Sequence, residues 1–215
     1  MEGVRQTRWV TALLALAVVG LGGCAHEWDS VAIPHPATVA DMKAVMRDHW
    51  SGHIFWVRNV VLDNATNDRR ARDFAEKAVI VNSRHLAGTF APFYGDAAAE
   101  TLSTLLSRHY AAVKAYSEAT VAGNKRKQDQ ALDDYAAITD KIAAFFNGVN
   151  SHLSKDIVQG LIAVHGNHHI AQITQFQARD YAGEEETWQM MQHHVYEIAD
   201  ALTAALAKQF PAKFS

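Results

Sequence analysis

Residues 38–215 of this chain are predicted to form an all-α antiparallel bundle of five to six helices. Apolar residues recur at spacings of three, four and seven, as in helices with one buried face and one solvated face. No segment alternates strictly at a period of two between turn residues, so no strand is expected. The periodic stretches are long and their connections short, which makes consecutive helices antiparallel neighbours.

The elements follow in order. Thr38 and Asp41 make a capping box, and the first helix runs to about Asp63. Asn67 and Asp68 cap a second, which should end near Pro92 because proline disfavours helical geometry in the residue before it. Gly95-Asp96 opens a third to about Ala119, and Gly123-Asn124 breaks it. A fourth covers roughly 126–147 and closes at Asn147-Gly148. Ser154 caps a fifth that runs to about Tyr181. Gly183 with Glu184-Glu185-Glu186 opens a sixth that ends at Pro211, the acids suiting a helix start.

Ahead of the bundle, residues 1–23 read as a lipoprotein signal peptide. Arg5 and Arg8 precede an apolar run from Trp9 to Leu21, too short to cross the roughly 30 Å hydrocarbon core of a bilayer. Leu21-Gly22-Gly23-Cys24 resembles the lipobox of bacterial lipoproteins, in which the cysteine is lipidated and becomes the first mature residue. Residues 24–37 hold two prolines and no periodicity, as a tether would. The expected address is the bacterial cell envelope, with a lipid anchor on Cys24. Ala25 lacks the acid that would retain the protein at the inner membrane, so the outer membrane, facing the periplasm, is favoured.

Composition narrows the chemistry. Cys24 is the sole cysteine, which excludes disulfides, zinc-thiolate sites, iron–sulfur clusters and CxxCH haem attachment. The net charge of −3 offers no basic surface for nucleic acid. All twelve histidines follow Cys24, so imidazole is the natural metal ligand in a chain without free thiols. There is no HExxH, P-loop, GxGxxG, nucleophile elbow or ExxH pair.

Helical faces place several histidines inward. His53 falls within the stripe Met42, Met46, Trp50, Val57 and Val60, and His85 lines up with Phe74, Ala78, Val81, Asn82 and Thr89. Leu102, Leu105, Leu106, Val113 and Tyr116 flank His109. In the fifth helix Val158, Ile162, Ile173 and Phe176 share a face with His165, His169 and Gln172. Met191, Val195, Ile198 and Leu202 surround His194, whereas the fourth helix has no histidine. Folding each connection back as a hairpin at about 1.5 Å per residue puts His53, His109 and His165 in one layer. His194 comes level with Gln172 instead, on the order of 10 Å from His165.

A single inward histidine is an ordinary satisfied core residue. Five helices each carrying one is a different matter, because every buried imidazole nitrogen left unpaired costs roughly 1–3 kcal/mol. Either the imidazoles converge on a ligand or they form a polar core. Trp50 and Trp56 read as core aromatics, Arg58 as a surface or ion-pair residue, and Glu184 as part of a helix-start acid cluster.

Three segments carry a family resemblance: WSGHIFWVRNVV at 50–61, APFYGDAAAETLSTLLSRHY at 91–110 and HHVYEIADALTAALAKQFPAKF at 193–214. They resemble the W-x-x-H-x-x-W-x-R-N, P-x-Y-G with L-x-x-L-L and H, and H-x-x-x-x-A-D-x-L with Q-F-P-x-K-F motifs of an uncharacterised bacterial family of small helical-bundle proteins. The resemblance covers most of the chain after Cys24. It implies a helical fold and maps the motif histidines onto His53, His109, His165 and His194. It implies no reaction, since nothing here supports the glycosyltransferase or acetylglutamate kinase labels some members bear. Where members carry an acid in the second helix this chain has His85, and where they carry Glu in the fifth it has Gln172. Trading carboxylates for neutral ligands leans toward copper, zinc or nickel over manganese or di-iron chemistry.

The expected function is binding of a late transition metal, for storage, sensing or delivery, through His53, His109, His165 and His194, with His85, His169 and Gln172 as secondary candidates. Bis-histidine haem b is a variant. The alternative is a structural or partner-binding lipoprotein with a histidine-rich polar core and no metal. No general base or nucleophile stands out, so an enzyme is disfavoured.

Overall fold

The computed structural model describes residues 38–214, and within them every element is helical. The helices are α1 (Val39–Ala65), α2 (Arg69–Gly88), a single-turn α3 (Ala91–Tyr94), α4 (Asp96–Val121), α5 (Lys125–Val149), α6 (Lys155–Ala178) and α7 (Tyr181–Gln209). A 3₁₀ turn, Pro211–Lys213, follows. The expected signal peptide, lipidated Cys24 and tether lie outside the described residues. None of the described helices is long and apolar enough to cross a membrane.

Local chemistry explains most boundaries. Thr38 and Asp41 form the capping box expected of them, satisfying amides that the first helical turn cannot. Asp68, Asn124, Ser154 and Asp180 each accept an amide of the first turn of α2, α5, α6 and α7. Gly95 and Gly123 take positive φ at the turns before α4 and α5.

Two boundaries differ from expectation. Pro92 does not end α2; it sits in the first turn of α3, where its missing N–H costs nothing. The fifth helix stops at Ala178 because Arg179 adopts a left-handed conformation (φ 58°), and the last helix starts at Tyr181, ahead of Gly183.

Each long helix packs on its sequence neighbours, and α7 closes the ring against α1. Ladders of contacts set the directions. Arg47 pairs with Asp200 and Arg58 with Glu184, so α7 numbers fall as α1 numbers rise and the two run antiparallel. Asn64 bonds Ser117 while His53 faces His109, so numbers rise together and α1 and α4 run parallel. Alternate helices α1, α4 and α6 also touch one another, forming the inner triangle of the bundle.

The apolar core is split. One cluster gathers Met46, Trp50, Leu106, Ile142, Ile162 and Met191 among others, and the second gathers Val57, Val60, Val79, Tyr110, Tyr135, Ile173 and Phe176. On α1 the boundary between them falls between Ile54 and Val57, just past His53, and on α4 and α6 it falls at His109 and the His165/His169 turn. A histidine layer thus interrupts the core, with 3 % exposure at His53 and His109, 0 % at His165 and 1 % at His169.

α2 is turned relative to expectation. Its buried residues are Ala75, Val79, Ser83, Leu86 and Ala87, while Phe74 is 56 % exposed and stacks edge-on against Trp56. Small residues let α2 approach α1 and α4 closely, and that packing outweighs burial of one phenyl ring. Ala78, Val81, Asn82 and His85 are left half-buried along the seam.

Candidate metal centre

His53, His109 and His165 each present a ring nitrogen, and the three nitrogens lie within 4.8 Å of one another. Each comes from a different helix of the inner triangle. Ring centroids are 6.3 Å apart for His53–His109, 5.4 Å for His53–His165 and 5.5 Å for His109–His165. Two imidazoles sharing one ion through bonds of about 2.0–2.1 Å have centroids about 5–6.5 Å apart, depending on the angle between them. Ligand nitrogens around such an ion are about 3.3–3.6 Å apart, so the trio needs closure by at most about 1.5 Å.

His169 lies one turn beyond His165, with their Nε2 atoms 3.2 Å apart. One ring of a neutral pair donates and the other accepts. The donor ring then keeps a bare Nδ1 lone pair and the acceptor ring carries an Nδ1–H, and neither Nδ1 has a protein partner. His109 Nδ1 is likewise enclosed and unpartnered. Unpaired buried nitrogens of this kind cost roughly 1–3 kcal/mol each, which apolar side chains would avoid.

Burial keeps these rings neutral. It pushes His53 down to about 4, and burial with the neighbouring His53 ring pushes His109 down to about 3. His165 and His169 are held well below the ordinary histidine value, first by burial and then by the surrounding imidazoles. A neutral imidazole keeps the lone pair that a metal needs.

The shell around the layer is aromatic and close-fitting. Trp50 sets its edge against His53 and His165 at 5.8 and 5.5 Å. The Tyr135 ring lies 4.8 Å from His109, and its hydroxyl donates to the Ile162 carbonyl at 2.7 Å.

Three residues singled out from sequence sit elsewhere. His194 places Nε2 2.9 Å from the Leu161 carbonyl and Nδ1 3.0 Å from a Glu197 carboxylate. Both partners are acceptors, and neither His194 nitrogen joins the three that converge. The early stop at Arg179 explains this placement: it moves the α6/α7 turn and sets His194 beside Leu161 instead of Gln172. Gln172 donates to Glu184 at 2.9 Å, and Glu184, itself 2 % exposed, receives Arg58 in a two-pronged pair. Glu184 is thus the first-turn acid of α7 and, in addition, a buried clamp on Arg58 and Gln172. His85 stands on the seam between α1 and α2, 6.2 Å from His49, as the turning of α2 dictates. His49 was not among the residues picked out by periodicity; the signal available was its place one turn before His53.

Neither protein-family models, nor curated proteins, nor solved structures give a match to this chain.

Proposed function

We propose that this chain is a lipid-anchored, periplasm-facing helical bundle that binds one late transition-metal ion, copper, zinc or nickel, through His53, His109 and His165, for storage, sensing or delivery. The observation that carries the reading is the convergence of three buried, neutral imidazoles from three helices to within 4.8 Å. A donor set of nitrogens with no carboxylate among them suits late metals over magnesium, calcium or manganese. Three histidines also leave a fourth coordination position for water, a cargo-receiving ligand or a further imidazole. His169 would hold His165 in orientation by exchanging one hydrogen bond with it, as residues behind metal-bound histidines commonly do.

The test is metal content of the purified full-length protein, in detergent, by elemental mass spectrometry with a visible spectrum alongside. Near one ion per chain is expected for the native protein and for His194→Ala, and none for His109→Ala. Equal metal in native protein and a folded His109→Ala variant would end this reading. A Soret band near 400–420 nm would redirect it to haem. For the anchor, Cys24→Ser should move the protein from the membrane to the soluble fraction.

One observation favours a second reading, a metal-free lipoprotein with a polar core: the direct His165–His169 bond satisfies one nitrogen of each ring without an ion. Such a layer would select one helix register by penalising slipped packings. A protein that takes up no added copper, zinc or nickel would support it.

A further inference from the structure

Imidazoles continue from the buried trio toward the surface along the α1/α2 seam. His49 is one turn before His53 on α1, and its ring centroid lies 6.2 Å from that of His85 on α2. Both rings are half-buried, unlike the trio. Asn82, three residues before His85, donates Nδ2 to the His49 carbonyl at 3.0 Å and pins the two helices together there. Gly52 makes room for this contact, since a Cβ at that position would lie 2.9 Å from Asn82 Nδ2. Two polar atoms on the seam, His49 Nε2 and Asn82 Oδ1, are enclosed with no protein partner. The buried stripe of α2 runs through Ala75, Val79, Ser83, Leu86 and Ala87, so the His85 imidazole lies outside it.

We propose that His49 and His85, assisted by Asn82, form an outer site that captures a late transition-metal ion from solution and passes it to His53, so that the bundle loads through the α1/α2 seam. The inference rests on the trio being a metal site. A separation of 6.2 Å falls within the about 5–6.5 Å expected for two imidazoles on one ion. Inner and outer ligands are both imidazole, so the ion meets no change in ligand type on the way in. Two rings hold an ion less tightly than three, which makes transfer inward downhill. His49 and His53 are four residues apart on one helix face, so the ion can be handed over by ligand exchange between adjacent turns. Among the described residues a second imidazole pair, His168 and His194 at 5.5 Å, has both His194 nitrogens already facing acceptors.

The experiment is stopped-flow uptake of copper(II) by full-length metal-free protein, read by quenching of tryptophan emission and by final stoichiometry. Trp50, against His53 and His165, is the reporter next to the inner site. His49→Ala/His85→Ala, and the size-conserving His85→Gln, are expected to slow uptake at least tenfold while still reaching one ion per chain. Extraction by an external chelator should slow by the same factor. Native rates in the double variant would overturn the loading route while leaving the trio intact. Loss of the bound ion in a folded double variant would also overturn it, making the pair part of the equilibrium site. Failure of the native protein to bind copper at all would instead remove the trio reading on which the route depends.

Discussion

Tyr135 lies directly over the bare backbone of Gly166: a Cβ added at Gly166 would come within 2.0 Å of Tyr135 Cζ. That approach lets the Tyr135 hydroxyl reach the Ile162 carbonyl while its ring backs His109. In a helix interior alanine would ordinarily gain about 1 kcal/mol over glycine. Here the clash with an aromatic ring locked on both sides outweighs that gain. Gly166→Ala is expected to cost a net 1–3 kcal/mol or so in urea unfolding, with part of the loss recovered in Gly166→Ala/Tyr135→Leu. A stabilised Gly166→Ala would show that the ring is free to move.

Acid should unfold the metal-free protein earlier than its carboxylates alone would. The folded-state values of His53 and His109, about 4 and about 3, lie below the ordinary 6.5. The unfolded chain therefore binds more protons below about pH 6.5, and stability falls as pH drops from there toward 4. Each ring that stays neutral contributes a slope of about 1.4 kcal/mol per pH unit. Melting temperatures flat between pH 7 and 4.5 would contradict this. Bound metal should steepen the fall, because protons and metal compete for the same nitrogens.

His109→Leu separates stability from function. The wild-type ring leaves Nδ1 enclosed and unpartnered, and leucine removes that polar atom at similar volume. Unfolding of the metal-free variant should be unchanged or more resistant by about 1 kcal/mol, while metal binding is lost. A variant destabilised by several kcal/mol would mean that His109 is held for structure.

The clamp at Glu184 predicts an asymmetric pair of variants. Arg58 also stacks on Phe176 and Trp188, with its charge centre 5.5 and 5.1 Å from the two rings. Arg58→Met leaves a carboxylate of 2 % exposure with only Gln172 as partner and should cost about 3 kcal/mol. Arg58→Met/Glu184→Gln should recover more than half of that loss, as measured by chemical denaturation. Equal losses in the single and double variants would place the stabilisation in the arginine stem's packing.

Metal should stabilise the native protein in thermal melts. An ion at about 100 times its dissociation constant contributes about 2.7 kcal/mol when it binds only the folded state. His194→Ala should keep this gain and His53→Ala should lose it.

Much of this architecture was legible residue by residue. Periodicity put His53, His109 and His165 on buried faces, and hairpin counting put them in one layer, where the structure has them. It worked because those stripes contain large side chains such as Met46, Leu106 and Ile162, which leave the inward direction unambiguous. α2 has no such stripe, so its inward face was misread toward Phe74, and His85 with it. His194 lay on the right face but at the wrong height, because nothing in the side-chain pattern marks Arg179 for a left-handed turn. Glu184 was legible as a helix-start acid and Arg58 as an ion-pair residue, but their pairing was not, because the two are distant in sequence.

By itself, then, the chain's order of residues determined the six long helices, most of their caps and the placing of His53, His109 and His165 inward in one layer. Those are consequences of local bonding and of a 3.6-residue period, which act within one helix and one hairpin at a time. Only the tertiary structure decided which inward imidazoles meet, that alternate helices α1, α4 and α6 form the inner triangle, and that His49 joins His85 on the seam. Those outcomes depend on close approach between surfaces far apart in the chain, where small residues such as Ala75 and Gly166 set which faces can touch.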